Sequence, residues 1–243
     1  MKLAIMQPYF LPYIGYFQLI AAVEKFVIYD TVKYTKKGWI NRNRMLLNGL
    51  PDTFSLPLRK DSDTLNVVDR YISEDFDGRK ILGRFESAYR KAPEFHRVMP
   101  LLSKILEFEE RNLFRFIQHS INCCCAYMNI QTPIVTSSKI EGGTDKKGVE
   151  RVLDICAKTG ATCYINPIGG VDLYQPSLFL SRGIGLRFLQ SRSTPYQQFG
   201  EAFQPNLTIV DVMMFNPMEK VSALLAADFD LHVGRDGSDV SLA

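Results

Sequence analysis

In its first thirty residues the chain passes through an apolar run, a proline-stiffened loop, a helix-compatible stretch and a second apolar run that ends in a carboxylate. Residues 3–6 suit a buried strand, closed by Pro8 and Pro12 because proline has no N–H to give a strand ladder. Tyr16-Phe17-Gln18-Leu19-Ile20-Ala21-Ala22 suits a helix that starts just after a turn at Gly15. Phe26-Val27-Ile28-Tyr29-Asp30 is rich in β-branched and aromatic residues and reads as the next strand. Strand, loop, helix and strand in that span form a βαβ unit, whose two strands run parallel. Parallel strands need cover on both faces, which commits the chain to a layered α/β architecture.

The same order returns after residue 132. Pro133-Ile134-Val135-Thr136 reads as a strand. Val149, Val152, Leu153 and Cys156 then fall at i, i+3, i+4 and i+7, with Gly160 as the C-terminal stop of a helix. Thr162-Cys163-Tyr164-Ile165 and Gly185-Leu186-Arg187-Phe188-Leu189 read as further strands, and Thr208 with Asp211 resembles a capping box opening a helix through Phe215. Two features interrupt the alternation. Asn48-Gly49, between Met45-Leu46-Leu47 and the alternating Phe54, Leu56 and Leu58, marks a β-hairpin whose second arm Pro51 and Pro57 keep at an edge. From about residue 77 to 129 apolar residues such as Leu102, Ile105, Leu106, Leu113, Phe116 and Ile117 recur at helical spacing, and Pro93 and Pro100 divide the stretch into at least two helices. The expected fold is α/β: a mainly parallel Rossmann-like sheet with a β-hairpin and a helical insertion. It occupies one domain over residues 1–233, with residues 234–243 a disordered tail.

Composition permits such a core and argues against several functions. Of 243 residues, 46% are hydrophobic and 23% charged, an ordinary globular balance. A net charge of +3 carries no clustered basic footprint, so no nucleic-acid partner is expected. Five cysteines, three of them consecutive at Cys123-Cys124-Cys125, make no disulfide framework. No Cys-x-x-Cys pair occurs, and His96, His119 and His232 lack metal-ligand spacing, so no metal is expected. The apolar run before Gln7 is too short for a signal segment, and nothing approaches the roughly 20 apolar residues of a membrane span. A cytoplasmic protein without membrane insertion is expected.

Ligands of parallel α/β sheets bind beyond the carboxyl ends of the strands, which marks four segments. The first runs from Gln7 to Tyr16 and carries two prolines, Tyr9, Tyr13 and Tyr16. A stiff aromatic loop before a helix N-terminus suits an anionic or ring-bearing ligand, and Gly15 would let backbone approach it; the bland alternative is tyrosines covering the sheet edge. The second runs from Asp30 to Arg44 and offers Lys33, Tyr34, the only tryptophan Trp39, Asn41, Arg42 and Asn43. Amides, guanidinium groups and an aromatic plate orient sugars and nucleotides, whereas a plain solvated loop accounts for the lysines alone. Asp30 is the candidate general base, or else a cap on the chain entering the loop. The third segment, from Ser137 to Lys147, could hold phosphate through backbone amides and Lys139; it is no Walker loop, and Asp145 serves equally as a helix N-cap. The fourth holds Gly169 and Gly170, which allow backbone approach to a ligand or simply a turn. His232 is a second catalytic candidate, against a packed or solvated histidine. No Ser-His-Asp order, HExxH or GxGxxG is present.

Several of these residues recur together in a known pattern. Ile5-Met6-Gln7-Pro8-Tyr9-Phe10-Leu11-Pro12 with Gly15-Tyr16-Phe17, Trp39-Ile40-Asn41-Arg42-Asn43, the helix from Lys146 to Cys156, Gly160-Ala161 with Tyr164, and Gln198 through Asp211 resemble the WbqC-like proteins over nearly the full length. One position departs: the family usually has histidine directly before Gln-Pro, where this chain has Met6, so chemistry built on that imidazole would need another acid or base here. Because such proteins are often encoded among genes for O-antigen and other surface sugars, the resemblance implies a transferase acting on a nucleotide-linked amino sugar in lipopolysaccharide or related biosynthesis. It further implies N-acylation of the sugar amine from an activated carrier, an acyl carrier protein or coenzyme A thioester, with no bound cofactor. On that expectation Asp30 deprotonates the sugar ammonium, Trp39, Tyr9 and Arg42 grip sugar and pyrophosphate, and Asn41 and Asn43 orient them. A nucleotide-dependent ligase or nucleotidyltransferase is the alternative, since the opening order is similar to that of the HxGH enzymes, with Tyr13 and Tyr16 in place of their histidines. A third possibility is a non-catalytic binding protein of a polysaccharide assembly.

Overall fold

The apolar runs pair into a six-stranded sheet. The computed structural model describes residues 1–142, 146–200 and 202–234. Its elements in chain order are β1 (Lys2–Met6), α1 (Ile14–Ala21), β2 (Lys25–Ile28), β3 (Arg42–Leu47), β4 (Leu50–Ser55), α2 (Gly78–Tyr89), α3 (Phe95–Leu106), α4 (Leu113–Tyr127), β5 (Ile134–Thr136), α5 (Gly148–Thr159), β6 (Cys163–Pro167), α6 (Pro176–Leu180), β7 (Gly185–Ser191), α7 (Ile209–Phe215), α8 (Met218–Ala227) and β8 (Phe229–Val233). The sheet order is β5-β2-β1-β6-β7-β8, and every pair is parallel except β7 with β8. The winding reverses between β1 and β6, the switch point where such sheets open a crevice at their carboxyl ends.

Period-two alternation divides the strand residues between two cores. Ala4, Phe26, Ile28, Cys163 and Ile165 face one way; Leu3, Ile5, Val27, Tyr164, Leu186 and Phe188 face the other. α5 and α6 cover the second face with Val152, Leu153, Ile155, Cys156 and Phe179. The first face meets α1, α7 and α8 and continues into the helices of the insertion and the hairpin. Each fully buried Phe or Leu contributes about 1.5–3 kcal/mol of burial energy.

Asn48 and Gly49 both take positive φ, 52° and 78°, and close β3 and β4 into an antiparallel hairpin that stands as a sheet of its own. Gly160 caps α5 in the left-handed conformation.

Several local expectations are corrected. Gly15 lies inside the first turn of α1, not ahead of it. Pro93 separates α2 from α3, but Pro100 is carried within α3; the hydrogen bond it forgoes is to the carbonyl of His96, an exposed residue whose carbonyl water can serve. The second break falls at residues 107–112, where Asn112 caps α4 through Arg115 N. No capping box closes on α7, because the backbone N–H of Thr208 donates to Arg44 O while the Asp211 carboxylate turns inward. Gly234 is buried, with no room for a Cβ against Pro176, so it is packed in place; residues 235–243 and Asp145 lie outside the described residues. The antiparallel edge strand β8 has no counterpart in the strand pattern read from sequence. No helix among the described residues is long and apolar enough to cross a membrane.

Candidate functional site

The loop leaving β1 is fixed by hydrogen bonds to its own carbonyls. Tyr16 Oη donates to Gln7 O at 3.0 Å, Asn43 Nδ2 to Leu11 O at 2.7 Å, Thr208 Oγ1 to the same Leu11 O at 2.7 Å, and Ile209 N to Pro12 O at 2.8 Å. Phe10 N donates to Ile40 O at 2.9 Å, tying the loop to the segment that enters β3. Leu11 sits at φ 44°, a left-handed conformation that costs a non-glycine residue about 1–2 kcal/mol. The two donors on its carbonyl offset that strain. Strain held in this way is commonest at functional sites.

The stiff loop and the tryptophan segment therefore meet. Between them lies a pocket of about 360 Å³ lined by Tyr9, Pro12, Tyr13, Trp39, Asn43, Arg44 and Asn206. Strand alternation in β3 points Arg42 and Arg44 toward Trp39, their guanidinium carbons 5.6 and 5.4 Å from its ring, while Asn43 and Met45 turn inward. Burial raises the phenol pKa of Tyr9, with the neighbouring Tyr13 adding to the effect, and burial does the same for Tyr13. Both hydroxyls keep their protons and can donate. Among the described residues neither has a hydrogen-bond partner. Gly15 has a role here other than approach to a ligand: a Cβ on it would lie 2.4 Å from the Tyr13 ring, which rests on that glycine.

Of the residues singled out from sequence, Tyr9, Trp39 and Asn43 line this pocket. Others serve as braces. Tyr16 is buried beneath the loop, and burial lifts its pKa well above the ordinary value. Tyr34 donates to Asn41 Oδ1, and Asn41 Nδ2 donates to Leu56 O. Arg42 is committed to the carbonyls of Gly38 and Lys37 at 2.9 and 2.6 Å. Gln7 is half-buried at the end of β1, next to Met6, and Lys33 is exposed on the following loop.

The remaining candidates stand elsewhere. Asp30 is fully buried: its Oδ1 accepts from Ser137 Oγ at 2.6 Å and Ser138 N at 3.0 Å, binding the end of β2 to the turn after β5. Its Oδ2 has no partner among the described residues. In this conformation Asp30 cannot meet a substrate amine. Lys139 is exposed on that same turn. Gly169 and Gly170 follow β6 in a 3-10 turn; Gly169 faces open space, whereas a Cβ on Gly170 would lie 1.9 Å from Asn166 Nδ2, so packing explains the second glycine. His232 pairs with Phe188 on the edge strand, away from the pocket lining. Among the described residues no cluster of His, Cys, Asp or Glu could hold a metal.

Sequence reading placed Pro12, Tyr13 and Arg44 within the marked segments without naming them as individual contacts, and it missed Asn206. Arg44 was within reach, because a strand that turns Arg42 toward Trp39 must turn Arg44 the same way. Asn206 lies in the stretch of the resemblance from Gln198 through Asp211 but outside the strand-end segments marked for ligands; it arrives from the loop between β7 and α7.

Comparison with known proteins agrees with the motifs. A protein of Mycobacterium tuberculosis (strain ATCC 25618 / H37Rv) named "Uncharacterized protein Rv1507c" is 28% identical over 218 residues, covering 88% of this chain and 93% of that protein. No solved structure matches. The model of the WbqC-like protein family matches residues 7–223, so the loop, the tryptophan segment, the sheet strands β2, β5, β6 and β7, and α7 fall within the match, and the chain belongs to the WbqC-like protein family.

Proposed function

We propose that the protein is a transferase acting on a nucleotide-linked amino sugar in surface polysaccharide biosynthesis, with the substrate bound in the pocket between Tyr9, Trp39 and Arg44. The supporting observation is the pocket's chemistry: a guanidinium, two free phenol donors and an indole surround about 360 Å³, and among the described residues no carboxylate lines it. That combination suits a phosphate ester carrying flat and hydroxylated rings.

The finer reading is N-acylation. The neutral amine nitrogen attacks the thioester carbonyl carbon, the C–N bond forms, the C–S bond breaks, the thiol departs and the nitrogen gives up a proton. Among the described residues no imidazole or carboxylate lines the pocket, and on this reading the amine sheds its first proton to water before attack. The rate then rises with pH until the amine is fully neutral and stays level above that point. Incubation with UDP- and dTDP-amino sugars and coenzyme A or carrier-protein thioesters, followed by mass spectrometry, tests the reaction. An acylated sugar is the expected product; binding of the sugar nucleotide without any acylated product across the panel would rule the transferase out. It would leave the second reading, a non-catalytic binding protein, which a lining without a base among the described residues favours.

A further inference from the structure

Arg42 and Arg44 both flank Trp39, yet their bonding differs. Arg42 has two short hydrogen bonds to the carbonyls of its own loop, at 2.9 and 2.6 Å. Among the described residues Arg44 has one, a long 3.4 Å contact from Nη2 to Asn206 O, and its Nε is sealed from water with no partner among them. A guanidinium has five N–H donors; here the sealed Nε without an acceptor is costly, while the others reach toward the half-open pocket. The residue that looks like the ligand-binding arginine of the motif is thus a brace, and its neighbour two positions on holds the unspent charge. Tyr9 and Tyr13 supply two more donors to the same pocket, Tyr13 being held there by the bare Cα of Gly15. Trp39 remains 41% exposed beside them.

We infer that Arg44 with the Tyr9 and Tyr13 hydroxyls forms a phosphate subsite, and that Trp39 takes the flat ring attached to that phosphate. The pocket therefore recognises its ligand by a nucleoside phosphate moiety. This rests on taking the pocket as the substrate site. Phosphate oxygens outcompete a distant neutral carbonyl for a guanidinium, because a charged acceptor makes hydrogen bonds roughly twice as strong. Binding draws Arg44 away from Asn206.

Trp39 is the only tryptophan of the chain, so its fluorescence reports the pocket without a label. The full chain is titrated with UDP, uridine and inorganic pyrophosphate, with calorimetry in parallel. UDP should change the fluorescence saturably and bind about tenfold or more tighter than uridine. Arg44→Met, which keeps the apolar stem, should weaken UDP about tenfold to a hundredfold and leave uridine unchanged. Gly15→Ala, which pushes the Tyr13 ring aside, should weaken UDP and pyrophosphate together. Equal affinity for UDP and uridine, no binding of any of the three, or an Arg44→Met variant with wild-type UDP affinity overturns the inference. If Arg44→Met does not fold, judged by circular dichroism, the wild-type comparison of UDP with uridine decides alone. UDP binding of the expected pattern without acyl transfer leaves this subsite standing and defeats the transferase; acyl transfer that is indifferent to Arg44→Met does the reverse.

Discussion

The carboxyl edge of the sheet is built in two ways. Beyond β1, side chains behind the loop satisfy its carbonyls, and this lets Tyr9, Tyr13 and Arg44 face the pocket with donors to spare. Beyond β2 and β5, the polar groups turn on one another: Asp30 holds Ser137 and Ser138, and Arg151 holds Ser137 O at 2.9 Å while pairing with Asp154 at 2.9 Å. The difference teaches that a polar residue at a strand end presents itself to a ligand only when other residues have already met the needs of the backbone around it. Asn43 and Thr208 meet that need on the pocket side. On the other side Asp30 meets it itself through Oδ1 and is enclosed, its Oδ2 buried away from any ligand.

The hardest test of this contrast lies behind the pocket. Asp211 is fully buried and accepts from Tyr89 Oη at 2.8 Å, Tyr196 Oη at 2.6 Å and Gln198 Nε2 at 2.6 Å, while Tyr89 Oη accepts from Leu46 N in the hairpin. Asp211→Ala strands several buried donors and should cost on the order of 3 kcal/mol in urea unfolding, with the pocket lost as well. Stability within about 0.5 kcal/mol of wild type would mean that this network does not hold the pocket wall.

Asn43→Ala removes the 2.7 Å bond to Leu11 O, leaving Thr208 as the remaining side-chain donor on a strained residue. It should cost about 1–2 kcal/mol in thermal unfolding and weaken nucleotide binding through disorder of the loop. Lost binding with unchanged stability would instead make Asn43 a ligand contact, blurring the line between brace and presenter.

Asp30→Asn keeps the Oδ1 acceptor and removes a buried charge whose second oxygen has no partner among the described residues. Stability should change by less than about 1 kcal/mol, and any acyl transfer should persist. Abolished turnover with intact nucleotide binding would restore Asp30 as the general base and require the turn after β5 to open.

The smallest effect concerns Asp154. Burial alone would push its carboxyl pKa up, but hydrogen bonds from Lys146 and Lys158 bring it down to about 2. A depressed acid contributes stability that is complete above its unfolded value and is lost as pH falls through the folded one. Wild type should therefore lose stability between about pH 4 and pH 2 by a margin that Asp154→Asn lacks, measured by urea unfolding across that range. Identical acid profiles would remove Asp154 from the bracing of this side.

The strand and helix order was legible because burial imposes a period: Leu3, Ile5 and Val27 on one face against Ala4, Phe26 and Ile28 on the other follow from backbone geometry alone. The Asn-Gly hairpin and the Gly160 cap were legible because positive φ restricts residue choice. Pro100 was misread because a proline near a helix start loses only one bond, and an exposed carbonyl can replace it with water. In the site, the meeting of the β1 loop with the Trp39 segment was foreseen, and Tyr9, Trp39 and Asn43 line the pocket. The division of labour inside each motif was not.

By itself the sequence determined the family, the layered α/β design and the two segments that come together, since these depend on local propensity, periodicity and motif. Only the tertiary structure decided that Arg44 and Tyr13 face the pocket while Arg42, Asn41 and Tyr16 support it, that Asp30 is enclosed, and that Asn206 completes the wall. The reason is physical: a hydrogen-bonding side chain is spent or available according to which partners the fold brings within about 3 Å of it, and those partners lie far away along the chain.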